Sequence, residues 1–408
     1  MPLFRFSALA SPLHDPEAVA RIVAPVAEVL RANGGAATDD PGHTDAPWVV
    51  VVATGGTEAA VLDLVARRAE AAPGEPVVLV THPLHNSLPA ALEALAGLRL
   101  RGHRGRIVPI DAPGEPATTI ADLIAAQRIW HARLGLVGRP SEWLVASVPD
   151  RDAVRARWGI DLVDIPIDAP IAHHRAADPS AGRAVAVKFS RRRPGVSADP
   201  EPADETLRAA AVHPALTAAI AEHHVNAITV RCFDFLGDLH TSGCVALAEL
   251  NDTGVVAGCE GDVAAALAMM IARELLGTAS WVANPATIDP ATGRMVLAHC
   301  TVAPSLVEDL ELHTHFESGL GIGLRGTFRP GPVTLLRLGG RALEEHWVTD
   351  AEIVATGDAP DLCRTQVTLA ADSGALQSLL DAPLGNHLVL VPGHHAARLE
   401  RWWRLLHG

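Results

Sequence analysis

Tyrosine is absent from this 408-residue sequence, and Lys188 is the sole lysine among 33 Lys and Arg residues. Tyrosine-dependent acid–base chemistry is therefore excluded. A phosphate-binding loop needs Lys followed by Ser or Thr; Lys188 is followed by Phe189, so that motif is missing. Schiff-base or pyridoxal chemistry would rest on Lys188 alone. The five cysteines (Cys232, Cys244, Cys259, Cys300 and Cys363) form no C-x-x-C pair and are odd in number. That argues against a disulfide framework or a thiolate-only zinc site and for buried small hydrophobes. Positive charge is scarce: the formal net charge is −14, with no basic block beyond Arg191, Arg192 and Arg193. Neither nucleic acid nor an anionic membrane surface is expected as a main partner. No stretch approaches 18 uninterrupted apolar residues, and residues 1–16 lack a signal-peptide core, so a soluble cytoplasmic protein is expected.

Apolar material is plentiful, at 49% of residues, and the length suits two to four domains. Asp15-Pro16 caps and opens a helix that ends near Asn33-Gly34-Gly35. Strands are expected over 48–53, 76–81 and 106–110. A helix capped by Asn86-Ser87 should run to 96 and stop at Gly97, and another should span 120–134. Fully apolar strands alternating with helices imply a parallel sheet covered on both faces. Beyond Gly138, strands are expected over 143–147, 161–165 and 226–232, with helices over 150–159, 205–223 and 242–251. A proline- and charge-rich loop occupies 191–202. From about Met295 the pattern turns to short strands (295–298, 331–338, 351–355 and 365–370), which suits a barrel or sandwich. An amphipathic helix over 396–406 closes the chain. The expected fold is α/β, with two Rossmann-like doubly wound domains followed by a C-terminal β-barrel-type domain. The expected boundaries are 1–136, 137–294 and 295–408.

Several polar motifs admit both a structural and a functional reading. Thr54-Gly55-Gly56-Thr57 follows a strand and opens a helix, so it reads as a tight turn or as an anion cradle. His313-x-His315 would place two rings on one strand face, which suits metal or substrate contact. With 20 histidines in the chain, such adjacency also arises by chance.

The segment Ala257-Gly258-Cys259-Glu260-Gly261-Asp262 is more informative. An apolar strand over 255–258 delivers a carboxylate at its C-terminal end, where open α/β sheets place ligands, and a helix over 263–276 follows. A strand over 280–283 ends at Asn284, and the strand over 295–298 ends at His299-Cys300. Gly385-Asn386-His387 precedes a last strand over 388–391. Glu260, Asn284, His299 and His387 could then converge on one hard divalent cation. Oxygen with imidazole ligands suits Mn²⁺ best among the common ions. The alternative is that these strand-end residues are turn formers.

At these residues the sequence resembles a family. Cys259-Glu260-Gly261-Asp262, with Leu275-Leu276-Gly277-Thr278-Ala279 downstream, resembles the metal-site region of the L-fucose and L-arabinose isomerases. Gly385-Asn386-His387, with Gly393-His394 beyond, is similar to that family's C-terminal metal histidine segment. Residues 313–319 and 333–339 resemble the lining strands of the last domain in short fucose-isomerase-like proteins, and Asn86-Ser87-Leu88 also recurs there. The resemblance is strongest from about Cys232 onward. It implies two Rossmann-like domains and a barrel-type domain. Glu260 would be metal ligand and catalytic base, and His387 and His299 metal ligands. His313, His315, Glu317 and Asn386 are the candidate substrate contacts. The family's second acidic ligand falls at Asn284, which can donate a carbonyl oxygen to a metal but cannot act as a general base.

The implied activity is metal-dependent aldose–ketose isomerisation of a small carbohydrate or sugar acid through an enediol. A lyase or epimerase using the same enediolate, and a non-catalytic sugar-binding relative, are the alternatives. Glu260 could act alone, since a single base can carry the proton across one face of a cis-enediol, or Asp262, Glu317 or a metal-bound water could replace the missing acid, although Asp262 reads foremost as a helix cap. With Glu260 as the one anionic ligand, a dication leaves a net positive site that favours acid-bearing substrates. The resemblance also implies a homo-oligomer with active sites between subunits. Arg231 and Arg337 are candidate anion contacts, or surface ion-pair partners.

Overall fold

The computed structural model describes residues 1–178, 180–191 and 201–407. The loop expected over 191–202 falls largely on 192–200, outside the described residues. The chain divides into two compact units, one of residues 1–128 with the terminal segment from Arg398, the other of residues 129–397.

In the first unit the strands are β1 (Phe4–Leu9), β2 (Gly35–Ala37), β3 (Trp48–Val52), β4 (Val77–Thr81) and β5 (Gly105–Pro109). They form one parallel sheet in the order β2-β1-β3-β4-β5. The helices are α1 (Pro16–Ala32), α2 (Glu58–Ala71), α3 (Ser87–Leu100) and α4 (Glu115–Trp130). Strand alternation divides the apolar residues between two faces. Val49 and Val51 pack with Leu30 of α1, Leu123 of α4 and Leu405; Trp48, Val50 and Val52 pack with Leu64 of α2 and Leu95 of α3. Both faces are therefore covered, as a run of five buried residues in β3 requires.

Two local expectations fail here. The third helix runs through Gly97 to Leu100, and Asn86 sits in a left-handed conformation (φ 56°, ψ 27°) without a side-chain cap. Asn tolerates that region better than most residues, which explains its place in the turn. Thr54-Gly55-Gly56-Thr57 is a hydrogen-bonded turn. Thr54 Oγ1 accepts from the Ser11 N–H at 2.7 Å, Thr57 Oγ1 donates to the Thr54 carbonyl at 2.8 Å, and the Gly55 N–H reaches the His85 carbonyl at 2.8 Å.

The second unit begins with β6 (Arg133–Val137), α5 (Arg151–Trp158), β7 (Asp161–Ile165), α6 (Asp168–Ala176) and α7 (Arg183–Arg191). It continues with α8 (Asp204–Ala210), α9 (Val212–His223), β8 (Ala227–Val230), α10 (Phe233–Asp238), α11 (Cys244–Thr253) and β9 (Val256–Cys259). Its parallel sheet has the order β7-β6-β8-β9. Residues 133–134, expected to end a helix, instead begin the strand β6, because a short apolar run does not distinguish helix from strand by periodicity. Gly135 lies where a Cβ would meet Ile165, Val225 and Ile228 at 2.9 to 3.2 Å, so the strand is closely packed there. Residues 143–147 are turn and bend rather than strand.

The next helix, α12 (Val263–Leu276), is buried along nearly its whole length. It packs on β8 and β9 on one side and on the barrel on the other, which is why its apolar residues show no single stripe. The barrel strands are β10 (Trp281–Asp289), β11 (Arg294–His299), β14 (Gly331–Gly339), β15 (Glu345–Thr356), β16 (Thr365–Ala371) and β17 (Leu388–Pro392). They close antiparallel in the order β10-β11-β16-β15-β14-β17. A separate pair, β12 (Asp309–His313) and β13 (Gly323–Thr327), precedes β14. Helix α13 (Ser373–Asp381) lies between β16 and β17 in the chain, and α14 (Ala396–His407) ends it. The protein is thus mixed α/β, with parallel sheets and a closed six-stranded barrel. No helix among the described residues is long and apolar enough to cross a membrane.

The barrel interior is filled by Trp281, Met295, Leu297, Leu335, Val367, Leu369 and Leu390, all 0 or 1% exposed. Leu335→Ala is expected to cost about 2–5 kcal/mol by combining lost burial with a cavity; urea unfolding of the two proteins measures it.

Candidate metal centre

The parallel strand β9 ends at Cys259, and the next residue, Glu260, adopts φ 62°. Left-handed backbone costs a non-glycine residue about 1 kcal/mol or more and persists only where the surroundings impose it. Here the Glu260 carbonyl accepts from the Ser141 N–H at 2.9 Å, and the Gly261 N–H donates to the Val230 carbonyl at 3.1 Å. Gly261 is also left-handed (φ 76°), and a Cβ on it would lie 2.7 Å from Pro140 Cα. The turn therefore requires glycine at 261, and it holds the Glu260 side chain over the end of the sheet.

Three separate elements bring their side chains together. Glu260 follows β9, His299 ends β11 and His387 immediately precedes β17. One donor atom of each lies within 4.8 Å of the others, and all three residues are buried. Glu260 Oε1 faces His387 Nε2 at 3.4 Å and His299 Nε2 at 3.8 Å. His387 is 0% exposed, yet its Nε2 makes no hydrogen bond among the described residues. With Nδ1 turned to Asp262, Nε2 faces the Glu260 carboxylate, so a cation seated between them could take the nitrogen in place of a proton together with the carboxylate oxygen. A carboxylate and two imidazoles converging on one point suit a divalent cation.

His387 is oriented from behind. Its Nδ1 lies 2.9 Å from Asp262 Oδ2, which fixes the ring and directs Nε2 to the centre. Asp262 Oδ2 also accepts from Arg337 Nη1 at 3.0 Å, and its Oδ1 caps α12 by accepting the Ala265 N–H at 2.8 Å. Arg337, on β14, further donates to Ser147 Oγ at 2.6 Å. Both Asp262 and Arg337 are fully buried. Burial raises the Asp262 carboxyl, but the charge of Arg337 and the bond with His387 outweigh it and hold the group down at about 2. Burial lowers the His387 imidazole, and the neighbouring carboxylates Asp262 and Glu260 more than reverse this, pushing it up to about 9. Burial likewise raises Glu260, while the imidazoles of His299 and His387 dominate and keep it ionised far below the usual carboxylate range.

The other sequence candidates fall in different places. Asn284 pairs with Ala298, next to His299, while its neighbour Ala283 pairs with Leu388, next to His387. Asn284 thus sits on the strand between those of the two histidines, and its Oδ1 accepts from Asn386 Nδ2 at 2.9 Å. His313 and His315 do not share a strand face, because β12 ends at His313. The His313 ring contacts Glu311 at 2.9 Å, whereas His315 is buried, with its ring edge-on to Phe233 at 5.5 Å. Burial first, then the charges of His299 and Arg364, push His315 down to about 4. Glu317, two residues on, has its carboxyl raised by desolvation and by the negative charge of Glu260.

Arg337 is not a surface residue at all: it is the buried partner of Asp262. Arg231 is occupied by Asp234 at 2.9 Å and Glu142 at 2.8 Å. Lys188 is held by Glu249 at 2.6 Å and Asp252 at 2.8 Å, which fits the low expectation for amine chemistry there. The five cysteines are free. Sequence reasoning missed Trp143, whose Nε1 donates to Glu260 Oε2 at 2.6 Å. Its apolar neighbours had suggested a strand, and no local signal pointed across 117 residues to Glu260.

No family model matches the chain. Curated proteins do. The chain is similar to sulfoquinovose isomerases. Over 206 residues it is 29% identical to the proteins of that name from Priestia aryabhattai and from Priestia megaterium (strain ATCC 12872 / QMB1551), covering 46% of this chain and 44% of each relative. Over 139 residues it is 30% identical to the protein of that name from Clostridium sp. (strain MSTE9), covering 34% of this chain and 28% of the relative. The matches thus span less than half the length of these relatives.

The buried pair Asp262–Arg337 supports the site from behind, so breaking it should be costly. Arg337→Met leaves the buried Asp262 carboxylate without its guanidinium partner and is expected to destabilise the protein by about 3–5 kcal/mol. Denaturant unfolding of the metal-free protein checks this.

Proposed function

We propose that this protein is a metal-dependent aldose–ketose isomerase acting through an enediol on a small sugar that bears an acidic group. The observation that carries the proposal is the buried convergence of Glu260, His299 and His387, with the His387 Nε2 directed at Glu260. The similarity to sulfoquinovose isomerases supports an isomerase of the sugar class, and it makes sulfoquinovose, a sulfonated sugar, the first substrate to try.

Glu260, His299 and His387 would hold the ion, with the Asn284 carbonyl as a further oxygen donor; Mn²⁺ suits such donors and would polarise the two adjacent sugar oxygens. Of the two roles the resemblance gives Glu260, its surroundings favour that of ligand, because Oε1 faces both imidazoles and Oε2 is held by the Trp143 indole. Asp262 is committed to Arg337, His387 and the α12 cap. Glu317, the other carboxyl weighed for proton transfer, would carry the proton; it lies two residues from the buried His315 and is raised by desolvation and by the Glu260 charge. It would take the proton from C2 of the aldose and return it to C1, while the O2 proton passes to O1. Glu260 is the one anionic donor in the set, so a bound dication leaves a net positive site, which favours an anionic substrate.

The reading extends to a homo-oligomer with sites between subunits. Trp143, Val145 and Val148, on the loop beside Glu260, are 52, 88 and 55% exposed, a concentration of apolar surface that a second copy would cover.

Bound metal should be stoichiometric in protein loaded with Mn²⁺ and lost in Glu260→Gln. Loaded protein should convert sulfoquinovose to a ketose of equal mass, as read by NMR and mass spectrometry. Glu317→Gln should keep the metal and lower kcat by about 10²-fold or more, the usual worth of a general acid–base group. Absence of bound Mn²⁺ in the wild-type chain would overturn the metal-dependent reading. Products of lower mass would point to a lyase, and faster turnover of neutral sugars would overturn the acid-bearing substrate.

A further inference from the structure

The loop from Gly138 to Ser147 is fastened to the metal-site turn at both ends of one residue. The Ser141 N–H donates to the backbone carbonyl of Glu260 at 2.9 Å, and the Trp143 indole Nε1–H donates to the Glu260 carboxylate at 2.6 Å. Farther along, Ser147 Oγ accepts from Arg337, the residue that neutralises Asp262. Leu144 is 2% exposed and anchors the loop, while the Trp143 ring stands edge-on to Phe233 at 5.2 Å and 83°. Phe233 in turn meets the buried His315 edge-on at 5.5 Å. Trp143 therefore has its own packing and does not depend on Glu260 to stay in place.

The two carboxylate oxygens of Glu260 have different partners. Oε2 takes the indole N–H, and Oε1 faces both imidazoles. A hydrogen bond of this length to an ionised group is among the strong ones, and it opposes rotation of the carboxylate about its terminal torsion. In this arrangement it is Oε1 that faces the imidazoles, while Oε2 is turned to the indole.

We propose that Trp143 is a positioning residue that confines Glu260 to one-oxygen ligation of the cation. The inference rests on the metal-site reading above and adds a consequence for ion choice. One carboxylate oxygen with two imidazoles suits a transition-series dication, whereas Ca²⁺ takes six to eight oxygens and readily uses both oxygens of a carboxylate. Trp143 thus discriminates against Ca²⁺ by withholding Oε2.

The test compares wild type, Trp143→Phe and Glu260→Gln by titration calorimetry with Mn²⁺ and with Ca²⁺. Trp143→Phe keeps an aromatic ring to pack on Phe233 and removes the N–H donor. Its Mn²⁺ affinity is expected to fall about 10- to 100-fold, the usual effect of losing an outer partner of a metal ligand. Its preference for Mn²⁺ over Ca²⁺ should narrow, with the melting temperature of the metal-free protein little changed. A second readout serves even if that variant fails to fold. In ¹⁵N-tryptophan-labelled protein, one indole N–H resonance should lie downfield in wild type, move upfield in Glu260→Gln and broaden away when Mn²⁺ is added. Equal Mn²⁺ affinity in wild type and Trp143→Phe, or no indole resonance that responds to Glu260→Gln, would overturn the role of Trp143 while leaving the metal site intact. A wild-type chain that binds no Mn²⁺ would overturn both.

Discussion

One carboxylate without any solvent contact organises the second unit. Asp262 caps α12, pairs with Arg337 of β14 and orients His387 ahead of β17. A buried charge of this kind is tolerable only when it is paired and its remaining lone pairs are satisfied. Those requirements dictate the geometry around it. The helix must start at Asp262, β14 must present an arginine inward, and the segment before β17 must come close enough for His387 to be held. Gly385 shows how close. A Cβ there would lie 2.2 Å from Arg337 Nη2, and its φ of 138° is one that side-chain-bearing residues rarely adopt. The glycine in Gly385-Asn386-His387 is thus explained by the passage of the chain over the guanidinium.

The same pairing sets the electrostatics of the centre. Arg337 cancels the charge of Asp262, so the carboxylate that steers His387 does not add a second anion to the site. Glu260 remains the one anionic donor among the converging residues. Asn284, on the strand between those of the two histidines, adds no charge to this set.

The parallel sheet and the barrel contribute to one centre because α12 packs against both. The strained turn at Glu260 and Gly261 is the outlet of the sheet, and His299 and the segment before β17 are the rim of the barrel. Neither half carries the site alone. The loop bearing Trp143 joins them, touching Glu260 at one point and Arg337 at another.

Much of this was legible in the amino-acid order. The helix after Asp262, with its cap, runs over the expected residues, 263–276, because capping chemistry and apolar runs are local signals. The approach of Glu260, His299 and His387 was readable as strand ends pointing toward one place, helped by the family resemblance. Other features were settled by tertiary contact. Residues 133–137 and 143–147 carry similar apolar content, yet the first is a central strand and the second a turn beside Glu260. The difference lies in which backbone groups find partners in the sheet, and no local pattern encodes that. Closure of the barrel, the burial of Arg337 and the bond from Trp143 to Glu260 join residues between 47 and 190 positions apart. The sequence determined which side chains were available at each strand end. Only the folded chain decided which of them met, because the cost of burying Asp262 could be offset only by partners drawn from distant strands.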